Sequence, residues 1–302
     1  MNVYEIVTAK IVKLLEAGVI PWKKPWSGGE SAFNRISKKP YSALNCMLLS
    51  HSGEYATYKQ WQSLGGQVRR GEESEVVVYW NWVPVKNTEQ KENEEVLMKP
   101  VLRYYNVFHI SQVDGVEPLP VEAEKNKLEP IDEAERIKDA YLSRESALRL
   151  VIEHSDKAYY SPSRDCIVVP KLDQFMDPAE YYSTMFHEMI HSTGHKMRLN
   201  RLESGAEAAF GGTEYSKEEL TAEIGSAMIL GKTGIETSST IKNSAGYIQS
   251  WLRVLRNDSR FIVSAASKAE KAVEYIYTGK EKLKKRIERS NTYPRETRLY
   301  RD

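Results

Sequence analysis

Residues 185–195, MFHEMIHSTGH, hold three of the chain's six histidines, with a glutamate directly after the first of them. His187 and His191 stand four residues apart, so on a helix their imidazoles share one face and can bind a single ion together. Glu188 lies where it could reach a water on that ion and take its proton. Chance placement is the rival reading. It would bury two imidazoles and a carboxylate unpaired on a helix otherwise built from Tyr182, Met185, Phe186, Met189 and Ile190, at a cost of several kcal/mol. His195 is a poor third ligand. On a continuous helix it stands about 12 Å along the axis from His187, and a metal with bonds of about 2 Å cannot span that distance. It could contribute only if the chain turned sharply at Gly194. A three-histidine site whose last histidine lies six residues beyond His191 is excluded, because Met197 occupies that place.

The missing ligand is therefore expected on a second helix. In YSKEELTAEIGSAMIL, residues 215–230, Glu219 and Glu223 share a face while Leu220, Ile224, Ala227 and Met228 can pack inward. In glutamate-type zincins the ligand carboxylate is followed four residues later by an acid that orients the first histidine. On that pattern Glu219 is the third ligand and Glu223 fixes His187. A plainer reading stays open, since Ser216 to Glu219 also reads as a capping box. A cap alone, however, does not need the second acid at 223. Two histidines and one carboxylate leave a fourth position for water, the mark of a catalytic site. The expected chemistry is metal-assisted peptide hydrolysis with Glu188 as general base. Zn2+ is the expected ion, with Mn2+ as its alternative. The strand at 167–169 is expected to offer an edge to an extended peptide, and Tyr215 and His154 are candidates for stabilising the oxyanion.

A second set of residues suggests a different chemistry. IPWKKPWSGGESAFNRISKKPYSALN interleaves Trp22, Trp26, Phe33 and Tyr41 with Lys23, Lys24, Arg35, Lys38 and Lys39. Aromatic faces beside cations suit sequence-tolerant binding of a single nucleic-acid strand. Tryptophans beside prolines can equally close a small core, and lysines can equally be solvated. TYKQWQSLGGQVRRGE adds Lys59, Gln60, Arg69 and Arg70 with the same two readings.

These residues need elements to place them. Asp177 and Pro178 open a helix over 178–193 and Gly194 stops it. Further helices are expected over 2–17, 57–64, 131–153, 218–230, 244–257 and 260–277. EVVVYWNWVPV and VLRYYNVFHI read as two strands joined across a charged insert, and AYYSPSRDCIVVP as a tight hairpin. The fold class is α+β: an N-terminal α+β domain with an antiparallel sheet at 1–115, and a mainly helical domain with a small sheet at 136–280. The acidic, proline-containing stretch 116–135 reads as a linker and the basic stretch 281–302 as a tail. With 302 residues, 41% of them apolar, the chain can fill two cores. It has no apolar run of about 18 residues for a membrane span and no leader pattern, so a cytoplasmic location is expected. Cys46 and Cys166 are expected as buried, reduced thiols.

The ordered set WKKPW, FNR, PYSALN, TYKQWQSLGGQVRRGE, YYNVFHISQV, YYSPSRDCIVVP, HEMIH, EELTAEIG and YIQSWLRVL resembles the ArdC-type antirestriction proteins of conjugative plasmids and other mobile elements. That family joins an N-terminal single-stranded-DNA-binding domain to a C-terminal zincin-like metallopeptidase domain, and its members protect incoming DNA from host restriction. The resemblance implies that the aromatic and basic stretch, including Asn34, binds single-stranded DNA. It also implies that His187, His191 and Glu219 hold a metal, with Glu188 as base. A protein or peptide linked to host restriction is the implied substrate. The competing reading is a DNA-binding protein whose zincin domain holds metal or a partner without cleaving. A peptidase with no role on DNA is a third.

Overall fold

A computed structural model describes residues 2–23, 32–84, 98–120, 130–175, 177–202, 213–235 and 245–279. The first half opens with α1 (Val3–Glu16). Its cap is reciprocal: the Glu5 amide donates to Asn2 Oδ1 at 3.1 Å and the Asn2 amide to Glu5 Oε2 at 2.8 Å. Val7, Ile11 and Leu15 form its buried stripe. A 3-10 turn, Pro21–Lys23, leads on to β1 (Phe33–Asn34), α2 (Ala43–Leu48), β2 (Glu54–Ala56), α3 (Tyr58–Ser63), β3 (Gln67–Val68), β4 (Glu75–Pro84), β5 (Met98–His109) and β6 (Val113–Asp114). β4 and β5 are the expected hairpin, antiparallel along all of β4. The sheet order is β1-β2-β5-β4. It is mixed rather than wholly antiparallel, because β1 runs parallel to β2, with α2 in the crossover such a pair requires. β3 and β6 form a separate pair.

The second half contains α4 (Pro130–Arg144), β7 (Arg149–Glu153), β8 (Tyr159–Ser161), β9 (Cys166–Pro170), α5 (Pro178–Thr193), α6 (Thr213–Thr233), α7 (Ala245–Asn257) and α8 (Phe261–Thr278). The single helix expected over 131–153 is corrected. It ends at Arg144, and Arg149–Glu153 runs parallel to β9 in an unbroken register. Tertiary pairing overrides the local helical pattern there. Residues 130–135 of the expected linker are likewise the first turns of α4. A further correction concerns the peptide edge at 167–169. β9 lies between β7 and β8, so both of its edges are already paired and only the outer strands are available.

The two halves share a core. Val7, Ile11, Leu15, Trp22, Leu48 and Val78 pack in one cluster with Leu220, Ile224, Trp251, Leu255 and Phe261. A second cluster surrounds α5 with Ile137, Tyr141, Ile167, Phe186, Met189, Ile190 and Val273. A third, around Tyr41, Cys46, Tyr55, Val77 and Val107, lies under the first sheet. Cys46 and Cys166 are both buried thiols, donating to Tyr41 O and Ile167 O, and the expected reduced state holds for both. Among the described residues no helix is long and apolar enough to cross a membrane.

Candidate metal centre and nucleic-acid surface

α5 is fixed at both ends by side chains. Asp177 accepts from the Ala179 amide at 2.9 Å and Pro178 fills the first helical position. At the other end the Gly194 amide returns to His191 O at 2.8 Å. An added Cβ at Gly194 would stand 2.8 Å from Leu202 Cγ, so glycine is needed there for close approach. Two arginines from the following loop take carbonyls of the last turn. Arg198 Nε donates to Ser192 O at 2.7 Å and an Arg201 guanidinium nitrogen to Ile190 O at 2.8 Å.

Met185, Phe186, Met189 and Ile190 are fully buried, and His187 and His191 project from the helix toward α6. α6 can come this close because of Gly225, where an added Cβ would lie 2.6 Å from Ile190 Cδ1. α6 begins at Thr213, so Ser216 is an interior, buried residue of the helix. The capping-box reading of Ser216 to Glu219 is therefore corrected, and Glu219 is free to face the histidines.

His187 Nε2 and His191 Nε2 stand 3.0 Å apart. Glu219 Oε2 is 3.5 Å from the first and Oε1 is 3.4 Å from the second. One ligand atom from each of the three residues falls within 4.8 Å of the others. Two metal bonds of about 2 Å at a tetrahedral angle separate their ligand atoms by about 3.3 Å, so the spacing fits one four-coordinate ion. Two imidazoles and a carboxylate suit a divalent transition ion such as Zn2+ or Mn2+. Glu188 is buried beside them and its charge favours the protonated form of both histidines.

The outer nitrogens of the imidazoles also face carboxylates. His187 Nδ1 is 3.8 Å from Glu223 Oε1, the partner expected from sequence, at ion-pair range but beyond hydrogen-bond length. His191 Nδ1 is 3.2 Å from Glu218 Oε1, a contact the sequence reading missed. Arg201 grips that carboxylate with two nitrogens, Nε to Oε2 at 3.1 Å and a terminal nitrogen to Oε1 at 2.7 Å. It also donates to Thr193 Oγ1 at 2.8 Å. The available signal was two consecutive acids on α6 and a pair of arginines just past the end of α5. Burial opposes charge on Glu218, but hydrogen bonding to His191 and the Arg201 guanidinium hold it down at about 2. Burial also opposes protonation of His191, and hydrogen bonds to Glu218 and Glu219 more than offset it, raising the group to about 10. Glu219 is held well below the usual carboxylate range: burial opposes this, and the two histidines outweigh it. The pocket is built to hold positive charge among carboxylates. His195 takes no part; its Nδ1 accepts from the Met197 amide at 3.3 Å. His154 is exposed just past β7, and the Tyr215 side chain lies outside the described residues.

The residues expected to meet nucleic acid divide differently. Trp22 is only 2% exposed, its ring edge-to-face with Trp251 at 5.1 Å, and Tyr41 is packed against Tyr55 and Tyr79. Neither can offer a face to a base, and both are corrected to core residues. Phe33 is half-buried in β1. Asn34 Oδ1 accepts from the amides of Ile36 and Ser37, and Arg35 pairs with the buried Glu54, which also holds the Leu119 amide. Gln60 completes the capping box of α3. Arg69 is held by Glu72, Asp114 and Ser111 O. These four serve the fold. Lys38, Lys39, Lys59 and Arg70 are exposed. Lys24, Trp26 and the Lys23 side chain lie outside the described residues, as does the basic tail 281–302.

An α+β domain packed on a helical domain whose two central helices converge on a His-Glu-x-x-His motif defines a zincin-type protein with an N-terminal appendage. The chain belongs to the ArdC antirestriction family: residues 1–108 match the N-terminal domain of anti-restriction factor ArdC and residues 139–268 match a zincin-like metallopeptidase family. The crystal structure of the antirestriction ArdC protein from the R388 plasmid superposes with a TM-score of 0.72 in its metal-free form and 0.70 in its Mn(II)-bound form. Identity is 32%, over 92% of this chain and 97% of that one. The protein y4eC of Sinorhizobium fredii is 36% identical over 295 residues, covering 92% of its length. A DNA primase TraC of Escherichia coli is 32% identical over 300 residues, but this chain spans only 20% of that primase.

Proposed function

We propose that the chain is an antirestriction protein of a mobile genetic element that binds single-stranded DNA and hydrolyses a peptide bond with a divalent metal. The convergence of His187, His191 and Glu219 from two helices, with Glu188 beside them, carries the metal part of this reading. In it those three residues are the ligands and Zn2+ is the ion, with Mn2+ as its alternative; the Mn(II)-bound state of the R388 protein supports a divalent ion. A bound ion supplies Lewis acidity toward water and a peptide carbonyl. The chain's own side chains hold and move the protons. Glu188 takes one from the attacking water and returns it to the departing amine. Glu218 and Glu223 keep the two imidazoles turned so that their Nε2 atoms face Glu219. A protein or peptide substrate would pair along an outer strand, β7 or β8. The family resemblance and the exposed cations of the N-terminal half support the DNA part.

Glu188→Gln in the full chain tests the chemistry, because it keeps size and removes the base. Metal content, cleavage of a fluorogenic peptide library and protection of incoming DNA are measured together. The expected result is unchanged metal content and a loss of hydrolysis of about 100-fold or more. Hydrolysis that survives the substitution would sink Glu188 as base. Full protection of DNA without hydrolysis would leave a DNA-binding protein whose metal domain acts by binding alone.

A further inference from the structure

Among the described residues, exposed rings concentrate on the β4–β5 ribbon, where Tyr79, Trp80, Trp82, Tyr104 and Tyr105 all reach solvent. The register, Val77 opposite Tyr105 and Tyr79 opposite Arg103, puts odd-numbered residues of both strands on one face and even-numbered residues on the other. The even face carries Trp80, Trp82 and Tyr104 and no charged residue. The odd face carries Tyr79 and Tyr105 together with both cations of the ribbon, Lys99 and Arg103. No aspartate or glutamate occurs in residues 76–84 or 98–109. Glu75, at the start of β4, is occupied by Tyr55 Oη at 2.9 Å, Ser50 Oγ at 2.7 Å and Lys10 Nζ at 3.3 Å.

We propose that this odd face, centred on Tyr79, Arg103 and Tyr105, is the surface on which single-stranded DNA stacks. The proposal rests on the DNA-binding reading above and moves its stacking platform away from the buried Trp22 and Tyr41. A row of rings climbs from the core to this face: Tyr55 to Tyr41 at 6.3 Å, Tyr41 to Tyr79 at 6.2 Å and Tyr79 to Tyr105 at 6.0 Å. The first two are buried and anchor the row; Tyr79 and Tyr105 are 42% and 39% exposed. Asn81 Nδ2 donates to Tyr105 Oη at 3.2 Å and fixes that ring. Bases stack on such rings whatever their sequence, and neighbouring cations take the phosphates. Arg103 lies directly across from Tyr79, and the exposed Lys38 and Lys39 sit on the turn that leads into Tyr41. The charge pattern selects the occupant. A protein partner would fit the uncharged tryptophan face as well or better, whereas phosphates need the cations, and among the described residues of the ribbon these stand only on the tyrosine face.

The test uses the full metal-loaded chain and a fluorescein-labelled oligothymidylate of about 20 nucleotides, followed by anisotropy across a salt series. The Tyr79→Ala/Tyr105→Ala double variant is expected to weaken binding at least about 30-fold. Tyr79→Leu/Tyr105→Leu, which keeps the apolar bulk if the alanine variant folds poorly, should weaken it comparably. Arg103→Gln should make the slope of log K against log salt shallower by about 0.7. Trp82→Ala on the opposite face should change affinity by less than about twofold. Wild-type binding that the leucine variant retains in full overturns this face while leaving the DNA reading intact. A Trp82→Ala loss as large as that of the tyrosine pair also overturns it. Absence of wild-type binding removes the DNA reading together with the face.

Discussion

Glu218 and Glu219 are consecutive on α6, and either carboxylate could in principle turn toward a metal. The choice is made from outside the helix. Arg201 is nearly buried and holds both oxygens of Glu218, so that carboxylate is turned to His191 Nδ1 and away from the Nε2 pair. A guanidinium fork suits this task because it satisfies a planar carboxylate in one orientation. Arg201→Ala should therefore release Glu218 and loosen His191, lowering metal affinity about 10- to 100-fold. Arg201→Lys should recover only part of the loss, since an ammonium cannot reproduce the fork. Competition against a chromophoric chelator measures both, and unchanged affinity in Arg201→Ala would show that α6 alone selects the ligand.

At the level of elements, the site depends on how closely α6 lies against α5. Gly225→Ala would gain about 1 kcal/mol of helix propensity, while pressing a methyl group into the buried Ile190 costs about 1–3 kcal/mol. The second effect wins, so the variant should be less stable and bind metal more weakly, readable as a lower Tm and a weaker chelator competition; a stabilised variant would contradict the close contact. A second contact fixes the loop beyond α5. Arg198, its side chain 2% exposed, joins Asp165 and Glu145 and bonds Tyr160 Oη at 3.2 Å. Burial opposes charge on Asp165, but hydrogen bonds from Arg198 and Tyr160 hold its carboxyl below the ordinary range. A depressed carboxylate contributes stability that is complete above its unfolded value of about 3.9 and is lost as pH falls through the folded one. Arg198→Ala should cost about 3–5 kcal/mol near neutrality, and the variant should lose less stability than the parent on acidification below pH 4, measured by urea unfolding. Contacts of this kind mark the limit of what was legible. The spacing of four that joins His187 to His191 and Glu219 to Glu223 is a property of single helices, and sequence displays it. Arg201 on Glu218, Arg198 on Asp165 and β7 on β9 are meetings between elements, with no periodic trace. The same limit misplaced Trp22, because an aromatic beside lysines looks alike whether its ring faces a base or Trp251.

At the scale of the whole molecule, that Trp22–Trp251 contact bears on how independent the two halves are. Family matches fall on either side of the 116–135 segment, which by itself suggests two separable domains. The packing points the other way: α1 and the Pro21–Lys23 turn bury Val7, Ile11, Leu15 and Trp22 against Leu220, Ile224, Trp251 and Phe261. Leu220 and Ile224 lie on α6, the helix that also carries Glu219 and Glu223; the Pro21–Lys23 turn packs on that helix and α1 packs behind it on α7, so the N-terminal segment backs the candidate metal centre through the shared core. Truncating a fully packed tryptophan removes transfer energy and leaves a cavity, together about 3–5 kcal/mol. We expect Trp22→Ala to lower the Tm of the full chain, to keep a single cooperative calorimetric transition, and to weaken metal binding although no ligand is touched. A chain cut within 121–129 should yield halves that each expose this apolar face and associate when mixed. Two well-separated transitions in the parent protein, or a C-terminal half that binds metal as tightly alone as in the whole chain, would show that the shared core does not couple them.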